Sequence, residues 1–243
     1  MLPLKTASYP QKQRDQQVAT LLQKARQSNL ALSGFFSTAE GEIAVLNSNG
    51  LAAYQPFTSA STTLTLDHDS HVGTASDLAR EIGQINLAAL WNQAHERAQT
   101  PGETRTIEPG SYTVVFEPRA VAHLLEWVNY IGFRSAAYQE KISFLSDRLG
   151  KKVFGENVTI YDDAGDNSSL AFPFDFEGVP KRKTPLIERG VAKSIVYDTT
   201  SAAQDGVKST GHAIVTNVAY NGALAVNLSW SRAKFPRANF YAP

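Results

Sequence analysis

The chain has 243 residues, of which 42% are hydrophobic and 19% are charged, so it can bury a substantial core and is not typical of a disordered tail. The 23 basic and 23 acidic residues cancel, which argues against recognition of nucleic acid or an anionic membrane through overall charge. The absence of cysteine excludes disulfides, thiolate nucleophiles and cysteine-ligated zinc or iron sites within this chain.

The location of the protein is predicted from what its N-terminus and apolar segments lack. The first residues, MLPLKTASYPQKQR, have no apolar core of the kind found in signal peptides. No window contains the roughly 18 uncharged apolar residues that a membrane helix needs. Because the absence of cysteine also suits a reducing compartment, we expect a cytoplasmic protein without a membrane or nucleic-acid partner.

The first hundred residues are predicted to combine helices with antiparallel strands. Apolar residues recur at helical spacing in Asp15–Ser28, through Val18, Leu21, Leu22 and Ala25. Residues 30–67 alternate in the manner of strands around an Asn-Ser-Asn-Gly turn at 47–50, and the segment 58–66 is interpreted as a half-buried strand. A second helix is expected over 75–99, in which Gly83 favours a break. Its expected core contacts are Leu78, Ile82, Ile85 and Ala89.

A Pro and Gly cluster at residues 101–102 predicts a boundary, giving domains 1–105 and 106–243. After it we expect a strand over 111–118, with Pro118 starting the first of the helices that extend to Leu149. The remainder is predicted to be mostly short strands: 158–163, 169–176, 184–191 and 194–198, with a hairpin turn at Arg189 and Gly190. The predicted fold class is α+β, with a helix and antiparallel sheet part followed by a strand-rich part.

His123 and Glu126 form the most suggestive chemical pair, because a spacing of three places them side by side on a helix. The predicted core stripe of that helix, Val121, Leu124, Leu125 and Val128, points away from them. Zinc sites of the HExxH and HxxEH types need a second His, but the position four after His123 is Trp127. One imidazole does not hold a catalytic zinc, so no metal ligand and no cofactor are assigned.

Other short patterns fail similar tests. His95 and Glu96 also lack a second His, since Gln99 stands in its place. The segments 231–234 (SRAK) and 208–211 (KSTG) resemble the SxxK and KTG motifs of penicillin-recognising enzymes, but they occur in the reverse order. We therefore assign neither pattern a catalytic role.

An acidic cluster comprises Asp162, Asp163, Asp166, Asp175 and Glu177. An EF-hand would need a ligand where Gly165 stands, and a glycosidase pair would need a carboxylate separation that sequence does not show. Turn-forming acids and a solvated strand face explain the cluster more simply. Residues 181–183 (KRK) are likewise interpreted as a solvated strand end.

Six blocks in a fixed order resemble the TldD/PmbA family, which is also named for modulation of DNA gyrase. They are GSYTVVFEPRAVAHLL, SFLSDRLGKKVF, VTIYDD, FDFEGVP, TPLIERGVAKSIVYD and VKSTGHA. The resemblance extends over nearly all of the chain after Gln16. It implies that 1–105 corresponds to the end of the family's N-terminal α+β domain and 106–243 to the beginning of its strand-rich C-terminal domain. Since full family members are longer, the resemblance indicates either a fragment or a diverged short relative.

The resemblance also carries expectations about activity. TldD-like members resemble zinc peptidases in which an HExxxH helix and a distant Cys hold the metal inside a chamber formed by two subunits. Here the matching helix carries His123, but Leu124 and Val128 occupy the positions of the acid and the second His, and no Cys is present. The chain thus resembles the PmbA-like branch, which lacks this motif and is thought to pair with a TldD-like subunit.

Two functional hypotheses follow. The first is a non-catalytic subunit of a TldD/PmbA-type peptidase, contributing to the chamber or to a groove for an extended peptide in proteolysis or peptide maturation. Such a subunit is expected to form a homo-oligomer or a heterodimer with a TldD-like zinc peptidase. The alternative is a stand-alone binding or scaffold protein that keeps the fold. An independent hydrolase based on His123, Glu126 and the acidic cluster ranks last.

Overall fold

The computed structural model describes residues 4–68, 71–99, 106–166, 170, 172–214 and 222–231. Its internal contacts divide the chain into two compact units. Unit 1 is built from the chain up to Thr113, except for Ala44–Ala53, and from Asn167–Leu170. Unit 2 contains Ala44–Ala53 and the rest of the chain from Val114 onward.

The first half of the chain combines helices with three long strands. Its elements, in chain order, are α1 (Leu4–Ala7), α2 (Gln11–Gln27), β1 (Ala31–Leu46), β2 (Ala52–His68), β3 (His71–Ala79), a 3-10 helix (Ile82–Gln84) and α3 (Leu87–Gln99). The strands form one sheet in the order β1-β2-β3. The predicted turn between β1 and β2 is confirmed: the amide of Gly50 donates to the carbonyl of Asn47, and Gly50 has a φ of 85°.

Alternation along β2 places one face of this sheet against the helices. Thr58, Ala60, Thr62, Leu64 and Leu66 are all buried, whereas the residues between them are partly exposed. Leucines of this face form the core of unit 1 with α2, α3 and β3. The buried members of that core are Leu21, Ala25, Leu30, Leu64, Leu66, Ala75, Leu90, Trp91, Ala94 and Ala98. The strand predicted over 58–66 is therefore confirmed.

Helix α3 lies very close to β3 at Gly73. A Cβ atom on Gly73 would come within 1.9 Å of the carbonyl oxygen of Ala94 and 2.5 Å of the amide nitrogen of Ala98. No side chain fits in that space, so glycine permits the close approach of strand and helix.

Two predictions for this half need correction. Residues 75–79 are strand and not helix, because they pair with β2 in a register that places Ala75 opposite Leu64. Leu78 is consequently exposed, and Ala89 also faces solvent. In α2 the predicted apolar face is only partly buried: Leu21 and Ala25 lie in the core, but Val18 and Leu22 are exposed.

The second half of the chain has shorter elements. They are α4 (Pro118–Val128), a π-helical turn (Asn129–Phe133), α5 (Ser135–Gln139), β4 (Ile160–Asp162), β5 (Thr184–Glu188), β6 (Val191–Ala192), α6 (Thr199–Gln204) and β7 (Leu228–Trp230). The four strands form an antiparallel sheet in the order β6-β5-β4-β7. Strand β4 is thus central, with Ile160 opposite Ile187 on one side and Trp230 on the other.

The core of unit 2 surrounds this sheet. Its buried hydrophobic residues are Leu125, Phe133, Leu145, Val158, Ile160, Leu186, Ile187, Ala192, Ile195, Val196, Ala223 and Ala225. The predicted turn at Arg189 and Gly190 is confirmed, with φ angles of 48° and 79°. A Cβ on Gly190 would lie 2.3 Å from the carbonyl oxygen of Phe154, so this turn requires glycine for space as well as for conformation.

Several strands predicted for this half are absent from the described residues. Residues 111–117 have no regular structure and are exposed, although Pro118 does begin α4 as predicted. The predicted strand 169–176 lies partly outside the described residues; the rest contributes only an isolated bridge, Phe174 with Pro180. Residues 194–198 contribute one bridge through Val196, and they are followed by α6, a helix that the sequence analysis did not predict. In place of the expected strand pairing, the backbone here is irregular, and its hydrogen bonds are made in turns and to side chains.

The combination of helices with antiparallel sheets confirms the predicted α+β class. Among the described residues, no helix has both the length and the apolar character required to cross a bilayer.

Candidate functional site

Helix α4 positions the two residues that the sequence singled out. Pro118 occupies its first turn, and Leu125 is buried while Val121 and Val128 pack against the core of unit 2. On the outer side, Nδ1 of His123 lies 3.7 Å from Oε2 of Glu126, and their side chains are 68% and 77% exposed. The two residues are adjacent, as their spacing predicted, but both side chains are largely exposed to solvent.

The surface next to this pair offers no further metal ligand. Leu124, predicted to belong to the core stripe, is 45% exposed, and Trp127 is 68% exposed. Within the described residues, no three His, Cys, Asp or Glu side chains are grouped so that they could hold a metal ion. The absence of a catalytic or metal-ligating role for His123 and Glu126 stays a prediction.

The other short patterns occupy ordinary structural positions. The ring of His95 stacks on Trp91, with centroids 6.1 Å apart and an interplanar angle of 24°. In the SRAK segment, Ser231 donates its backbone amide to the carbonyl of Thr159, while Lys234 lies outside the described residues.

Two members of the acidic cluster are turn-forming residues, as predicted. Oδ1 of Asp163 accepts a hydrogen bond from the amide of Gly165 at 2.9 Å. Oδ1 of Asp175 accepts from the amides of Glu177 and Val179 at 3.0 and 2.9 Å, which closes the turn in that loop. Asp175 and Glu177 therefore do not share a strand face, contrary to the alternative considered for them.

Asp162 belongs to a different kind of site, a buried ion cluster that the sequence did not predict. Its Oδ1 atom lies 3.5 Å from Nζ of Lys181 and 3.1 Å from Nε2 of His212. The side chains of all three residues are almost completely buried, with exposures of 3% or less. Asp162 ends β4, while Lys181 and His212 come from two separate loops of unit 2, so one carboxylate joins three segments.

Further hydrogen bonds fix the cluster. Oδ2 of Asp162 accepts from the backbone amide of Asn227 at 2.6 Å, and Nζ of Lys181 donates to the Asn227 side-chain oxygen at 3.3 Å. Oδ2 of Asp175 accepts from the amide of Ala213, next to His212. Nε2 of His212 lies close to Oδ1 of Asp162, but the two atoms are not aligned for a hydrogen bond.

The charges of the cluster follow from this environment. Burial alone would raise the pKa of Asp162, but the contact with His212, the ammonium of Lys181 and the Asn227 amide outweigh it and hold that pKa below its ordinary value. Burial lowers the pKa of Lys181, and the carboxylates of Asp162 and Asp175 oppose this lowering. We assign the ammonium form to Lys181 at neutral pH, because a neutral amine would leave the Asp162 carboxylate without a buried counter-charge.

Two sequence interpretations are corrected by this cluster. Asp162 is not on a solvated face, and Lys181 is not part of a solvated strand end. A signal for the first was present: residues two apart on a strand share a face, so Asp162 continues the buried face of Ile160. No comparable signal identified Lys181, because its partner is distant in sequence and the adjacent Arg182 and Lys183 are exposed.

A separate cavity of about 720 Å³ lies in unit 2 beside α5 and α6. Acidic and amide side chains line it, including Gln139, Glu140, Glu177 and Asp198. Two of these carboxylates serve the start of α6: Asp198 accepts from the amide of Ser201, and Glu177 accepts from the amide of Thr199 at 2.8 Å in each case. Hydrogen bonds to the start of α6 thus hold two of the carboxylates that line the cavity.

Comparison with known proteins identifies the family. Residues 109–231 match the family model described as the PmbA/TldA metallopeptidase C-terminal domain. Over 187 residues, which are 76% of this chain, the sequence is 30% identical to the uncharacterized protein MJ0231 of Methanocaldococcus jannaschii. It is also 38% identical over 74 residues, 30% of this chain, to the metalloprotease PmbA of Escherichia coli O157:H7, and these are 16% of that relative.

Structural similarity supports the same assignment. The fold matches the crystal structure of TldE from Thermococcus kodakarensis with a TM-score of 0.73 and 25% identity, covering 86% of this chain and 50% of that one. Helices and sheets of this kind, together with the matched domain, define a metallopeptidase-related protein. The chain belongs to the TldD/PmbA family, which confirms the predicted resemblance. It spans 44% of the length of MJ0231 and half of TldE.

Proposed function

We propose that this chain is a non-catalytic subunit of a TldD/PmbA-type zinc metallopeptidase. The observation that carries the proposal is the surface of α4, the helix that matches the zinc-binding helix of TldD-like members. It presents one imidazole, His123, while Leu124 and Val128 occupy the positions of the motif's acid and second His. A catalytic zinc needs three protein ligands and a base or acid near its water, and this surface supplies two candidate ligands at most, His123 and Glu126.

The proposed contribution of the chain is to the wall of the peptidase chamber or to its peptide groove. The cavity beside α5 and α6, about 720 Å³ with both polar and apolar lining residues, has the size of a site for a peptide segment. In the part of the chain that the structure describes, strand β1 lies at an edge of its sheet and pairs with β2 alone. An extended peptide can add to such an edge through backbone hydrogen bonds.

The domain division proposed from the sequence is 1–105 and 106–243, the end of one family domain and the beginning of the next. The match to the C-terminal domain model begins at residue 109, and the contacts of the chain divide near Thr113. Both observations support a boundary in this part of the chain.

A reconstitution tests the proposal. The purified chain is mixed with a TldD-like protein that has an intact HExxxH motif and Cys ligand, and complex formation is followed by light scattering while cleavage of an unstructured peptide is assayed. We expect a complex with altered cleavage and zinc confined to the partner. The matched control replaces the Glu of the partner's motif with Gln, which should abolish cleavage and keep the complex.

Metal analysis of the isolated chain separates the remaining possibilities. After dialysis at neutral pH we expect substoichiometric zinc, and an unchanged zinc content in a His123→Ala variant. Stoichiometric zinc that His123→Ala removes would contradict the proposal. A chain that forms no complex and leaves cleavage unchanged, yet binds peptide, would instead support the stand-alone binding protein.

A further inference from the structure

Two basic segments that are distant in sequence meet at one pocket of unit 2. Residues 179–184 form one side and residues 208–210, part of the KSTG segment, form the other, around a cavity of about 460 Å³. The cavity wall includes two cations, Arg182 and Lys208, and an apolar part from Val179 and Pro180. Sequence analysis did not connect these segments, because residues 181–183 were interpreted as a solvated strand end and KSTG as a short pattern without a catalytic role.

The buried ion cluster holds the two sides of the pocket together. Lys181 precedes Arg182, and His212 follows the KSTG segment, and both contact the same oxygen of Asp162. Gly211 has a φ of 76°, and a Cβ there would lie 2.9 Å from the carbonyl oxygen of Pro180, so the two segments approach closely at this point. The relative position of the two segments is therefore set before any ligand binds.

Hydrogen bonds also fix the hydroxyl groups of the pocket. The hydroxyl of Thr210 accepts from the amide of Tyr197 at 2.7 Å and contacts Nδ1 of His212 at 2.9 Å. The hydroxyl of Ser209 donates to the carbonyl of Tyr197 and accepts from the amide of Gly211, at 3.2 Å each. These hydrogen bonds stiffen the wall, and Arg182 and Lys208 supply the charged donors of the lining.

Arg182 and Lys208 differ from the neighbouring lysines in their ion pairing. Lys181 is paired with Asp162, and Lys183 lies 3.2 Å from Asp163. Among the described residues, no Asp or Glu oxygen is found within ion-pair distance of Arg182 or Lys208. Arg182 and Lys208 thus line one pocket as exposed cations that have no carboxylate partner among the described residues.

We propose that this pocket binds an organic carboxylate, such as the C-terminal end of a peptide. Arg182 offers a planar fork of donors that suits a carboxylate, and Lys208 adds a second positive charge. A bare inorganic anion would fill a small part of 460 Å³, whereas the volume is typical of a site for an organic molecule. The apolar surface of Val179 and Pro180 suits the body of such a molecule.

The test uses the complete chain alone, so its result does not depend on whether the chain joins a zinc subunit. Backbone amide NMR signals of Thr210 and Gly211 are followed during titration with acetyl-trialanine, with the same peptide as its C-terminal amide, and with inorganic phosphate. We expect saturable shifts with the free carboxylate, at least about tenfold weaker binding of the amide, and weaker binding of phosphate. Equal binding of acid and amide, tighter binding of phosphate, or no shift with any probe would overturn the proposal.

Variants locate the site. Arg182→Gln and Lys208→Gln should each weaken binding of acetyl-trialanine about tenfold or more, because each removes a charge-assisted hydrogen bond. Lys151→Gln is the matched control, since Lys151 is an exposed cation outside the pocket lining, and it should leave binding unchanged. Conserved amide spectra establish that the variants fold. Binding that persists in the Arg182 and Lys208 variants would refute the assignment of this pocket.

Discussion

Replacing Asp162 with Asn tests whether the buried cluster stabilises unit 2 through charge. The substitution keeps the size of the side chain and an oxygen that can accept from the Asn227 amide. It removes the negative charge that faces Lys181 at 3.5 Å, and both side chains lie out of solvent. The variant therefore leaves a buried ammonium without its nearest counter-charge, and only the Asp175 carboxylate still acts on it.

The expected loss can be worked out from the geometry. At 3.5 Å and an effective dielectric constant of about 20, two unit charges attract by roughly 5 kcal/mol. Desolvation offsets much of this attraction in the intact pair, but removal of one partner leaves that penalty uncompensated. We expect Asp162→Asn to lower the free energy of unfolding by about 3–5 kcal/mol, a large part of the total stability of a typical domain.

Urea denaturation, followed by circular dichroism, measures this loss. The double variant Asp162→Asn with Lys181→Met removes both charges and should be more stable than Asp162→Asn alone, although it carries two substitutions. The control is Lys152→Gln, which breaks the exposed ion pair with Glu156 and should change stability by no more than about 1 kcal/mol.

Two results would refute this reasoning. A loss below about 1 kcal/mol in Asp162→Asn would mean that the cluster is not a paired charge in the folded state. Additive losses in the double variant would mean that Asp162 and Lys181 act independently, in spite of their 3.5 Å separation. If Asp162→Asn alone fails to fold, recovery of folding by Lys181→Met still tests the coupling.

The remaining predictions concern pH, close packing and helix capping. The pKa of Asp162 is held below its ordinary value of 3.8 in the folded protein. The stabilising contribution of the carboxylate is therefore complete above pH 3.8 and is lost as the pH falls through the pKa of the folded state. Urea denaturation at acidic pH should show less of this loss in Asp162→Asn than in the unchanged protein. Gly73→Ala should lower stability by at least about 1–3 kcal/mol because its Cβ would clash with α3, whereas Gly83→Ala, with open space around it, should change melting little. Asp198→Ala removes the side-chain cap on the Ser201 amide and should cost about 1 kcal/mol, measured by thermal denaturation.

Local patterns predicted the elements whose structure depends on neighbouring residues. The turn at residues 47–50, the alternating strand β2 and the start of α4 at Pro118 all followed from turn chemistry and periodicity. Residues 75–79 did not, because their apolar spacing fits a helix while their backbone pairs with β2. A sheet partner distant in sequence overrides local spacing, and a single sequence does not reveal that partner.

The candidate site shows the same division between local and distant information. The adjacency of His123 and Glu126 was predicted from helical spacing and is observed. The convergence of Lys181 and His212 on Asp162 was not, since it depends on how two irregular loops fold over the end of β4. Charged residues were interpreted as solvated because most of them are, and the exceptions are paired in three dimensions.

Three of the six blocks that carried the family resemblance contribute residues to this buried cluster, whereas Lys181 lies between two blocks. Asp162 lies in VTIYDD, Asp175 in FDFEGVP and His212 in VKSTGHA, and their side chains satisfy one another or nearby backbone amides. Similarity in these blocks therefore reports the packing of unit 2, which a zinc-binding and a zinc-free member would both need. The proposal of a non-catalytic subunit rests instead on the outer surface of α4, where His123 and Glu126 are exposed and lie apart from the core. In this chain the buried residues of unit 2 therefore support the fold, and the exposed residues of α4 support the proposed chemistry.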